Sequence, residues 1–248
     1  MMTDPLAGRS MTERGFMNRS EQIFRRLREN RLIALLAPKS AEDCILAHEL
    51  LSPLGIVLEI AFRTPAALDG IRATLKAHPD ALLLAGTVMT PEQATSAIEA
   101  GVAGIVSADY IAGVVNVCAK ADIMCVPGGL GDAGKQLVQK AECYGCDLQA
   151  LQRDYPYQWI YKLFPAVTDT MKPISLAGPW KAAFHGLQII YTGGVSLRNL
   201  RELVEYDPDG IFCGSALTKL IAEPDKMETE AEQWLDIIQN TSRSVKSK

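Results

Sequence analysis

A lysine in an apolar setting is the first residue of this sequence that could do covalent chemistry. Lys162 lies in 158-QWIYKLFPAV-167, and the two-residue period of a strand places it on one face with Ile160 and Phe164. Neither face of this strand is polar. Desolvation lowers the pKa of a lysine, so more of it is the neutral amine that attacks a carbonyl to form a Schiff base. The alternatives are a lysine that extends to the rim or pairs with a carboxylate.

A carboxylate occupies a similar apolar setting near the start of the chain. In 56-IVLEIAFRTP-65, Glu59 lies inside an apolar run and Arg63 and Thr64 follow it. A buried carboxylate is costly unless it is paired or used in chemistry. We therefore expect Glu59 either to act as a general acid or base, or to form a structural ion pair with Lys162.

Two glycine-containing turns late in the chain are candidates for binding an anion. The segments 192-TGG-194 and 213-CGS-215 each end an apolar run. Glycines allow backbone N–H groups to approach a phosphate closely. A simple tight turn is the alternative for each segment.

The elements that must position these residues form a regular alternation. Eight short apolar runs are separated by amphipathic stretches: 32-LIALLA, 56-IVLEIAF, 82-LLLAG, 104-GIVSA, 122-DIMCVPG, 158-QWIYKLF, 188-QIIYTGG and 210-GIFCGS. This pattern predicts an α/β fold, a (β/α)8 TIM barrel, whose usual length of about 250 residues matches the 248 residues of this chain. A doubly wound open sheet is the alternative, but no G-x-G-x-x-G follows the first strand.

The barrel gives the candidate residues a common location. Catalytic side chains of such barrels lie at the C-terminal ends of the strands, and phosphate usually binds at the loops after strands seven and eight. Lys162 is near the end of the sixth strand, and the two glycine turns follow the seventh and eighth. We therefore expect Lys162 to point into the barrel mouth, with the glycine turns beside it.

Further segments complete the predicted domain. Prolines open the helical patterns at 65 and 91, and Gly101 is expected to end the second of these helices. We predict one domain over 18–248, with an extra N-terminal helix at 18–30 and a C-terminal helical extension at 225–240. Residues 1–17, which mix both charge signs, are expected to form a flexible leader.

Composition excludes several classes of partner. The chain has 25 Lys and Arg against 29 Asp and Glu, and its formal net charge of -4 gives no footprint for nucleic acid or an anionic membrane. No apolar stretch approaches the roughly 18 residues that a transmembrane helix needs. We expect a cytoplasmic protein.

The six cysteines give little support for a metal or redox site. Four lie in apolar or helical contexts typical of buried thiols, whereas Cys143 and Cys146 form a single C-Y-G-C. No second pair or nearby histidine completes a tetrahedral set, so no metal and no cofactor are expected. His48, His78 and His185 are scattered without a partner motif, and structural roles are expected for them.

The segments LEIAFRTP, LLAGTV, YKLFPA, TGGVS and CGS, in this order, resemble the 2-keto-3-deoxy-6-phosphogluconate (KDPG) and 4-hydroxy-2-oxoglutarate (KHG) aldolase family. The resemblance covers roughly residues 20–220. It implies a class I, metal-independent aldolase with a (β/α)8 fold that assembles as a homo-trimer. The small-molecule keto acid that it cleaves, with a phosphate in the KDPG case, yields pyruvate and an aldehyde.

The resemblance also implies a role for each site residue. Lys162 is then the Schiff-base lysine and Glu59 the general acid or base. Arg63 binds the substrate carboxylate, with Thr87 and Thr192 lining the pocket. The phosphate is bound by Gly193, Gly194, Gly214 and Ser215.

Several segments depart from the family pattern around the site. The chain has 107-SAD-109 where the family has Ser-Pro-Gly, and 127-PGGLGDAGK-135 lacks the family's later Thr-Pro-Ser-Glu. Val167 replaces a glutamate. The segment Cys143 to Gln158 is an insertion of about a dozen residues, for which a lid or a subunit contact is expected.

Three hypotheses therefore remain open from the sequence. The first is a pyruvate-producing Schiff-base aldolase. The second is another sugar-phosphate barrel enzyme, an epimerase or decarboxylase, in which Lys162 acts electrostatically. The third is a non-catalytic barrel that binds a phosphate ligand. Lys135 and Lys172 are the competitors for the nucleophile, although neither ends an apolar strand.

Overall fold

The computed structural model describes residues 18–246, so the predicted leader at 1–17 lies outside the described residues. Within them, nine parallel strands alternate with α-helices. The strands are β1 (Leu32–Leu36), β2 (Val57–Ala61), β3 (Leu83–Gly86), β4 (Gly104–Val106), β5 (Met124–Val126), β6 (Gly128–Gly129), β7 (Ile160–Leu163), β8 (Gln188–Thr192) and β9 (Ile211–Gly214). The α-helices are α1 (Arg19–Asn30), α2 (Ala41–Leu51), α3 (Ala66–Ala77), α4 (Pro91–Ala100), α5 (Ala112–Lys120), α6 (Ala133–Cys143), α7 (Leu148–Asp154), α8 (Ala177–Ala183), α9 (Leu200–Tyr206) and α10 (Pro224–Lys246).

The strands form one sheet that curls into a barrel. Its order is β5-β4-β3-β2-β1-β9-β8-β7-β6, so the predicted fifth strand is divided into β5 and β6 at Pro127. Proline has no N–H to donate to a ladder, but its carbonyl accepts a hydrogen bond from the Lys162 N–H at 3.0 Å. The (β/α)8 barrel predicted from the sequence is confirmed, with one strand in two pieces.

Side chains alternate between two cores, as the two-residue period of a strand requires. Ile33, Val57, Ile160 and Ile190 belong to an inner core, whereas their chain neighbours belong to the larger core between the sheet and the helices. Because Val57 and Ala61 face inward, Glu59 between them faces inward as well. The same argument from Ile160 directs Lys162 into the barrel.

Helix α1 closes the end of the barrel where the strands begin. Its residues Ile23, Phe24 and Leu27 are part of the inner core. The Ser20 hydroxyl donates to the Ala103 carbonyl at 2.9 Å and accepts from the Met124 N–H at 2.9 Å, which joins α1 to the starts of β4 and β5. The extra N-terminal helix is thus confirmed, and it leaves the opposite end of the barrel open.

The other predicted helix boundaries also correspond to the structure. Pro65 is the N-cap of α3, Pro91 is the first residue of α4, and Gly101 ends α4 at φ 97°. The predicted C-terminal extension is α10, which is longer than 225–240. Its Trp234 is fully buried. No helix in the described range 18–246 has the length and apolar character needed to cross a membrane.

The inserted segment packs at the closed end of the barrel. Its residues Tyr144 and Tyr157 both donate hydroxyl hydrogen bonds to Asp122, which precedes β5. Gln158 donates to the Ile123 carbonyl at 2.9 Å. The expectation of a lid over the mouth is therefore wrong, because these contacts hold the insertion at the N-terminal ends of the strands. A subunit contact stays a prediction.

Candidate active site

A cavity of about 210 Å³ opens at the C-terminal ends of the strands, and we call it the mouth cavity. It brings together seven of the nine site residues predicted from the sequence. Its lining consists of Leu35, Arg63, Thr87, Ala108, Lys162, Phe164, Thr192, Gly193, Gly194, Val195, Cys213 and Ser215. Glu59 and Gly214 are the two predicted residues that do not contribute to this surface.

Lys162 is the buried lysine of the mouth cavity. Only 3% of the residue is exposed, and its Nζ lies 5.5 Å from the centroid of the Phe164 ring. Within 18–246, its side-chain nitrogen forms no hydrogen bond and no ion pair. An amine that is not engaged by a carboxylate or a carbonyl remains available to an incoming carbonyl compound.

Glu59 lies beneath the mouth cavity and is fully buried. Its Oε2 accepts a hydrogen bond from the Cys213 thiol, with Sγ and Oε2 3.7 Å apart, whereas Oε1 has no partner among the described residues. The carboxylate packs on Gly86, where a Cβ would lie 2.0 Å from Oε1. Because Gly86 at the end of β3 has no side chain, it leaves space for the Glu59 carboxylate.

Glu59 and Lys162 do not form the structural ion pair that the sequence left open. Both nevertheless act on Cys213. Burial raises the pKa of the Cys213 thiol, the Glu59 carboxylate raises it further, and Lys162 opposes this change. Three inward side chains from β2, β7 and β9 therefore form one electrostatic cluster around Cys213, in which the amine and the carboxylate are not paired with each other.

The two predicted threonines line the mouth cavity together with Lys162. Thr192 ends β8 and is 6% exposed, and the register of β8 pairs it with Cys213. Thr87 directly follows β3 with φ 55°, in the left-handed region that a β-branched residue rarely adopts. Strained backbone of this kind occurs preferentially at functional sites, where it positions a side chain.

The turn after β8 presents backbone to the mouth cavity. Gly193 and Gly194 adopt φ 83° and 74°, and a Cβ on Gly194 would lie 2.4 Å from the Val167 carbonyl oxygen. Within 18–246, the N–H groups of Gly194 and Val195 donate to no backbone carbonyl. Two free amides at the rim of a cavity are suitable donors for an anion.

Gly214 has a different environment from the other predicted glycines. A Cβ there would lie 2.6 Å from the Trp234 ring of α10. Its small size therefore allows α10 to pack on β9. Among the two residues predicted from this turn, Ser215 is the one that lines the mouth cavity.

Arg63 lies on the boundary of the mouth cavity. It also lines a second cavity of about 560 Å³, which we call the side cavity, at the ends of β1 and β9. Leu35 and Ser215 are likewise shared by the two cavities. The exposed guanidinium of Arg63 forms no ion pair with another residue of 18–246. It is thus available to an anionic group from either side.

Lys135 and Lys172, the other two lysines considered as the nucleophile, lie outside the mouth cavity. Lys135 is on α6 with its Nζ 4.9 Å from the centroid of the Tyr110 ring, and Lys172 forms an ion pair with Glu202. The Asp109 carboxylate accepts the Tyr110 N–H at 2.8 Å and is not part of the lining. Within the described range, no group of His, Cys, Asp and Glu has the arrangement of a metal site.

A second buried lysine, Lys140, was not identified from the sequence. Lys140 of α6 is fully buried and donates to the Cys125 carbonyl at 2.6 Å and the Gln158 carbonyl at 2.8 Å. A longer contact of 3.4 Å joins its Nζ to the Ile160 carbonyl of β7. Burial lowers the pKa of Lys140 to about 8. This lysine joins β5 to β7 where the ladder is interrupted, on the side of β7 away from the mouth cavity.

The sequence contains a pattern that indicates the burial of Lys140. Gln136, Leu137, Lys140 and Ala141 are all buried on one face of α6, with the spacing of four residues between Gln136 and Lys140. A lysine at a core position of an amphipathic helix must find acceptors in the fold. Cys213 was also treated as a core cysteine, although it contacts Glu59 and lines the mouth cavity.

The arrangement can form and break a covalent bond to a carbonyl compound. It offers an unpaired amine, a buried carboxylate with a free oxygen, and cationic or N–H donors at the rim for anionic substituents. These groups come from β2, β7 and β8 and the loops that follow β2, β8 and β9, and the rim residues lie at the C-terminal ends of the strands, as is typical of enzymes with this fold.

Comparison with known proteins gives a consistent assignment. The KDPG and KHG aldolase family model matches residues 23–231. The 2-dehydro-3-deoxy-phosphogluconate aldolase of Haemophilus influenzae is 30% identical over 200 residues, which are 79% of this chain and 85% of that protein. The protein of the same name from Treponema pallidum is 31% identical over 197 residues, covering 78% of this chain and 84% of the relative.

A solved structure extends the comparison to the fold. The KDPG aldolase of Legionella pneumophila, with pyruvate captured as a covalent carbinolamine, superposes with a TM-score of 0.68 and 22% identity. The match covers 89% of this chain and 98% of that one. With the family model matching most of the chain, and relatives about 30% identical over most of their length, this chain belongs to the KDPG and KHG aldolase family.

Proposed function

We propose that this chain cleaves a 2-keto-3-deoxy sugar acid, with 2-dehydro-3-deoxy-6-phosphogluconate as the first candidate, through a Schiff base on Lys162. The products are pyruvate and glyceraldehyde 3-phosphate. Family membership makes the chain an aldehyde-lyase of the class I type. The single observation that carries the assignment of the nucleophile is the buried and unpaired Lys162 amine, which acts on Cys213 together with the buried Glu59 carboxylate.

Lys162 performs the covalent step. Its neutral amine adds to the C2 ketone of the substrate, and loss of water gives an imine that is protonated at nitrogen. This iminium accepts the electron pair of the C3–C4 bond as that bond breaks, and the pyruvate half becomes an enamine on Lys162. Transfer to C3 of the proton taken from the C4 hydroxyl, followed by hydrolysis by water, then releases pyruvate and restores both the amine and the carboxylate. The carbinolamine captured in the Legionella protein is the adduct that precedes the imine in such a sequence.

Glu59 accepts the proton of the substrate's C4 hydroxyl. As C3–C4 cleavage begins, the C4 hydroxyl must lose its proton so that the aldehyde can form. The free Oε1 of Glu59 accepts this proton directly or through one water molecule. Cys213 donates to the other oxygen and so holds the carboxylate with Oε1 available. Glu59 is a catalytic residue in this proposal, and Cys213 is a positioning residue.

The rim residues hold the charged ends of the substrate. Arg63 binds the carboxylate at C1, since a guanidinium matches the geometry of a carboxylate. The N–H groups beyond Gly193, together with Ser215, bind the distal phosphate. Thr87 and Thr192 line the path between these ends. 4-Hydroxy-2-oxoglutarate, which has a second carboxylate in place of the phosphorylated end, is the second candidate substrate.

The test is release of pyruvate from each keto acid, detected with a coupled dehydrogenase. Unchanged protein is compared with Lys162→Met, and a chelator is added to a parallel sample. We expect activity that resists the chelator and falls by about four orders of magnitude or more in Lys162→Met, because no other amine among residues 18–246 lines the mouth cavity. A substrate panel without any pyruvate release from folded protein would favour the non-catalytic binding hypothesis.

Assembly as a homo-trimer and a cytoplasmic location belong to the same proposal. The trimer rests on the family resemblance, and light scattering coupled to size-exclusion chromatography tests it. A mass of one chain at working concentration would contradict it.

A further inference from the structure

We propose that Gln136 and Lys140 of α6 are positioning residues for the Schiff-base lysine, and that they hold β7, and with it Lys162, from the helix side of the sheet. This inference rests on the proposed function, because it concerns the rate at which Lys162 forms its imine. Neither residue lines the mouth cavity, so both act on the chemistry through the backbone of β7.

The two edges of β7 are held differently. On one edge, all four of its residues pair with β8 in a parallel ladder, from Ile160 with Gln188 to Leu163 with Tyr191. On the other edge, the ladder within 18–246 is limited to Lys162 and Leu163, which pair with the two glycines of β6. The first half of β7 therefore lacks a ladder partner on the side of β5.

Pro127 explains why the ladder stops there. The Lys162 N–H donates to the Pro127 carbonyl at 3.0 Å. In a parallel ladder with this register, the N–H of residue 127 would donate to the Ile160 carbonyl. Proline has no N–H, so this donor is missing. The Ile160 carbonyl, two residues before Lys162, must find its donors elsewhere.

Side chains of α6 supply these donors. Lys140 Nζ and Gln136 Nε2 approach the Ile160 carbonyl to 3.4 Å and 3.5 Å. Lys140 Nζ also donates to the Cys125 carbonyl of β5 at 2.6 Å and to the Gln158 carbonyl, two residues before β7, at 2.8 Å. An ammonium group has three N–H donors, and this one meets three carbonyls. It thus joins β5 to β7 where the ladder does not.

The two side chains are costly choices for a helix face that packs on a sheet. Both residues are 0% exposed. The Gln136 amide oxygen has no partner within 18–246, so its amide is buried with the Ile160 carbonyl as acceptor. A buried cation and a half-satisfied amide destabilise a fold more than apolar side chains of similar size. Their contacts with β7 give a functional reason for this cost.

The position of the Lys162 amine depends strongly on β7. Its side-chain nitrogen forms no hydrogen bond and no ion pair within 18–246, so no polar contact of its own fixes the amine. The backbone of β7 and the packing around it therefore decide where the amine meets the C2 carbonyl of a substrate. A misplacement of about 1 Å can lower the rate of a reaction about 100-fold.

The experiment measures how fast Lys162 forms its imine. The full chain is mixed with pyruvate at several concentrations and quenched with borohydride at increasing times, and intact mass gives the fraction of chains with an adduct. The limiting rate and the half-saturation concentration are thereby obtained separately. Unchanged protein is compared with Lys140→Met and Gln136→Leu, each shown to be folded by circular dichroism.

Arg31→Met is the matched control. Arg31 is a second buried cation, 9% exposed, and it donates to the Ile238 carbonyl at 2.9 Å and to the Ser242 hydroxyl at 2.6 Å. These bonds join the start of β1 to α10 and leave β7 untouched. The control therefore loses a buried cation and its hydrogen bonds, and we expect the limiting rate of unchanged protein.

We expect the limiting rate to fall about 10- to 100-fold in Lys140→Met and about threefold in Gln136→Leu, which loses one long and neutral hydrogen bond. The half-saturation concentration is expected to change little, because the rim residues are intact. A limiting rate equal to that of unchanged protein in both variants would overturn the proposal, as would an equal fall in Arg31→Met. If Lys140→Met does not fold, Gln136→Leu decides alone, since it keeps the cation.

Failure of the proposed function is seen separately. If borohydride traps no pyruvate adduct on unchanged protein even after long incubation, the Schiff-base assignment is wrong, and the proposal about α6 falls with it. If the adduct forms at one rate in all of these proteins, only the inference about Gln136 and Lys140 is wrong. After long incubation Lys140→Met still accumulates the adduct, because Lys162 itself is intact.

Discussion

The Cys213 thiol donates to the Glu59 carboxylate across the barrel interior, with 3.7 Å between Sγ and Oε2. Residues from β9 and β2 are thereby joined below the mouth cavity, and the second oxygen of Glu59 is left without a partner among residues 18–246. A buried carboxylate with half of its acceptor capacity unused is costly to the fold. Such a cost is typical of a group kept for proton transfer.

Replacement of Glu59 by glutamine tests this role. Gln has nearly the same shape but cannot accept the proton of the C4 hydroxyl. We expect kcat for cleavage to fall about 100-fold or more, with a much smaller change in KM, because general base catalysis contributes on that scale. Steady-state kinetics on the keto acid measure both constants. A kcat equal to that of unchanged protein would show that Glu59 has a structural role alone.

Two glycine substitutions test the turn after β8. Gly194→Ala places a Cβ 2.4 Å from the Val167 carbonyl in a residue with φ 74°, so we expect a loss of stability of about 1–2 kcal/mol and weaker binding of the phosphorylated substrate. Gly178→Ala is the matched control. Its Cβ in α8 would meet no atom of residues 18–246 within 4 Å, and alanine favours a helix.

Chemical denaturation measures the stability of both variants. Similar losses in Gly194→Ala and Gly178→Ala would contradict the explanation based on the local backbone. If only Gly194→Ala is destabilised but it binds the substrate normally, the turn is structural and the phosphate site lies elsewhere.

Lys140 gives a prediction for the dependence of stability on pH. Its pKa is about 8 in the folded chain, against an ordinary value of 10.5. Between these pH values the unfolded chain holds more protons on Lys140 than the folded chain does, so this group makes the free energy of unfolding rise with pH. The total contribution is on the order of 3 kcal/mol.

The comparison with Lys140→Met isolates this group from other residues that titrate in the same range. We expect the difference in unfolding free energy between unchanged protein and the variant to increase from pH 7.5 to pH 10 in favour of the unchanged protein. Urea denaturation at several pH values measures it. Parallel pH profiles of the two proteins would show that the pKa of Lys140 is not lowered by burial.

Alkylation rates test the burial of the cysteines. Cys44, Cys118, Cys125 and Cys213 are buried, whereas Cys143 and Cys146 are partly exposed. Burial raises the pKa of Cys213, so little reactive thiolate forms there at neutral pH. With iodoacetamide at pH 8, we expect mass spectrometry to find the first labels on Cys143 and Cys146. Early labelling of Cys213 in folded protein would contradict its burial, and denatured protein, labelled at every cysteine, is the control.

The sequence predicted the barrel and the direction of its main site residues for a simple physical reason. Strand side chains alternate, so an ionisable residue between two inward apolar residues must face inward, as Glu59 does between Val57 and Ala61. The chain order of the strands then places their C-terminal ends at one mouth. Local sequence patterns were sufficient for both conclusions.

Other features depend on contacts between distant segments. The acceptors of Lys140 are carbonyls at Cys125, Gln158 and Ile160, and no local pattern indicates that these lie together. The space occupied by Trp234 beside Gly214 is likewise set by the packing of α10, so a glycine expected to bind phosphate has a packing role in the structure. The insertion lies at the closed end because Asp122 binds its tyrosines there.

Covalent trapping of pyruvate is the most direct test of the central claim, that Lys162 forms the Schiff base. Protein is incubated with pyruvate and sodium borohydride, and intact mass and peptide mapping locate any adduct, with Lys162→Met and Lys140→Met as comparisons. We predict one pyruvate-derived adduct per chain on the peptide that carries Lys162, absent from Lys162→Met and present in Lys140→Met. An adduct on another lysine, or no adduct on folded protein, would contradict the account.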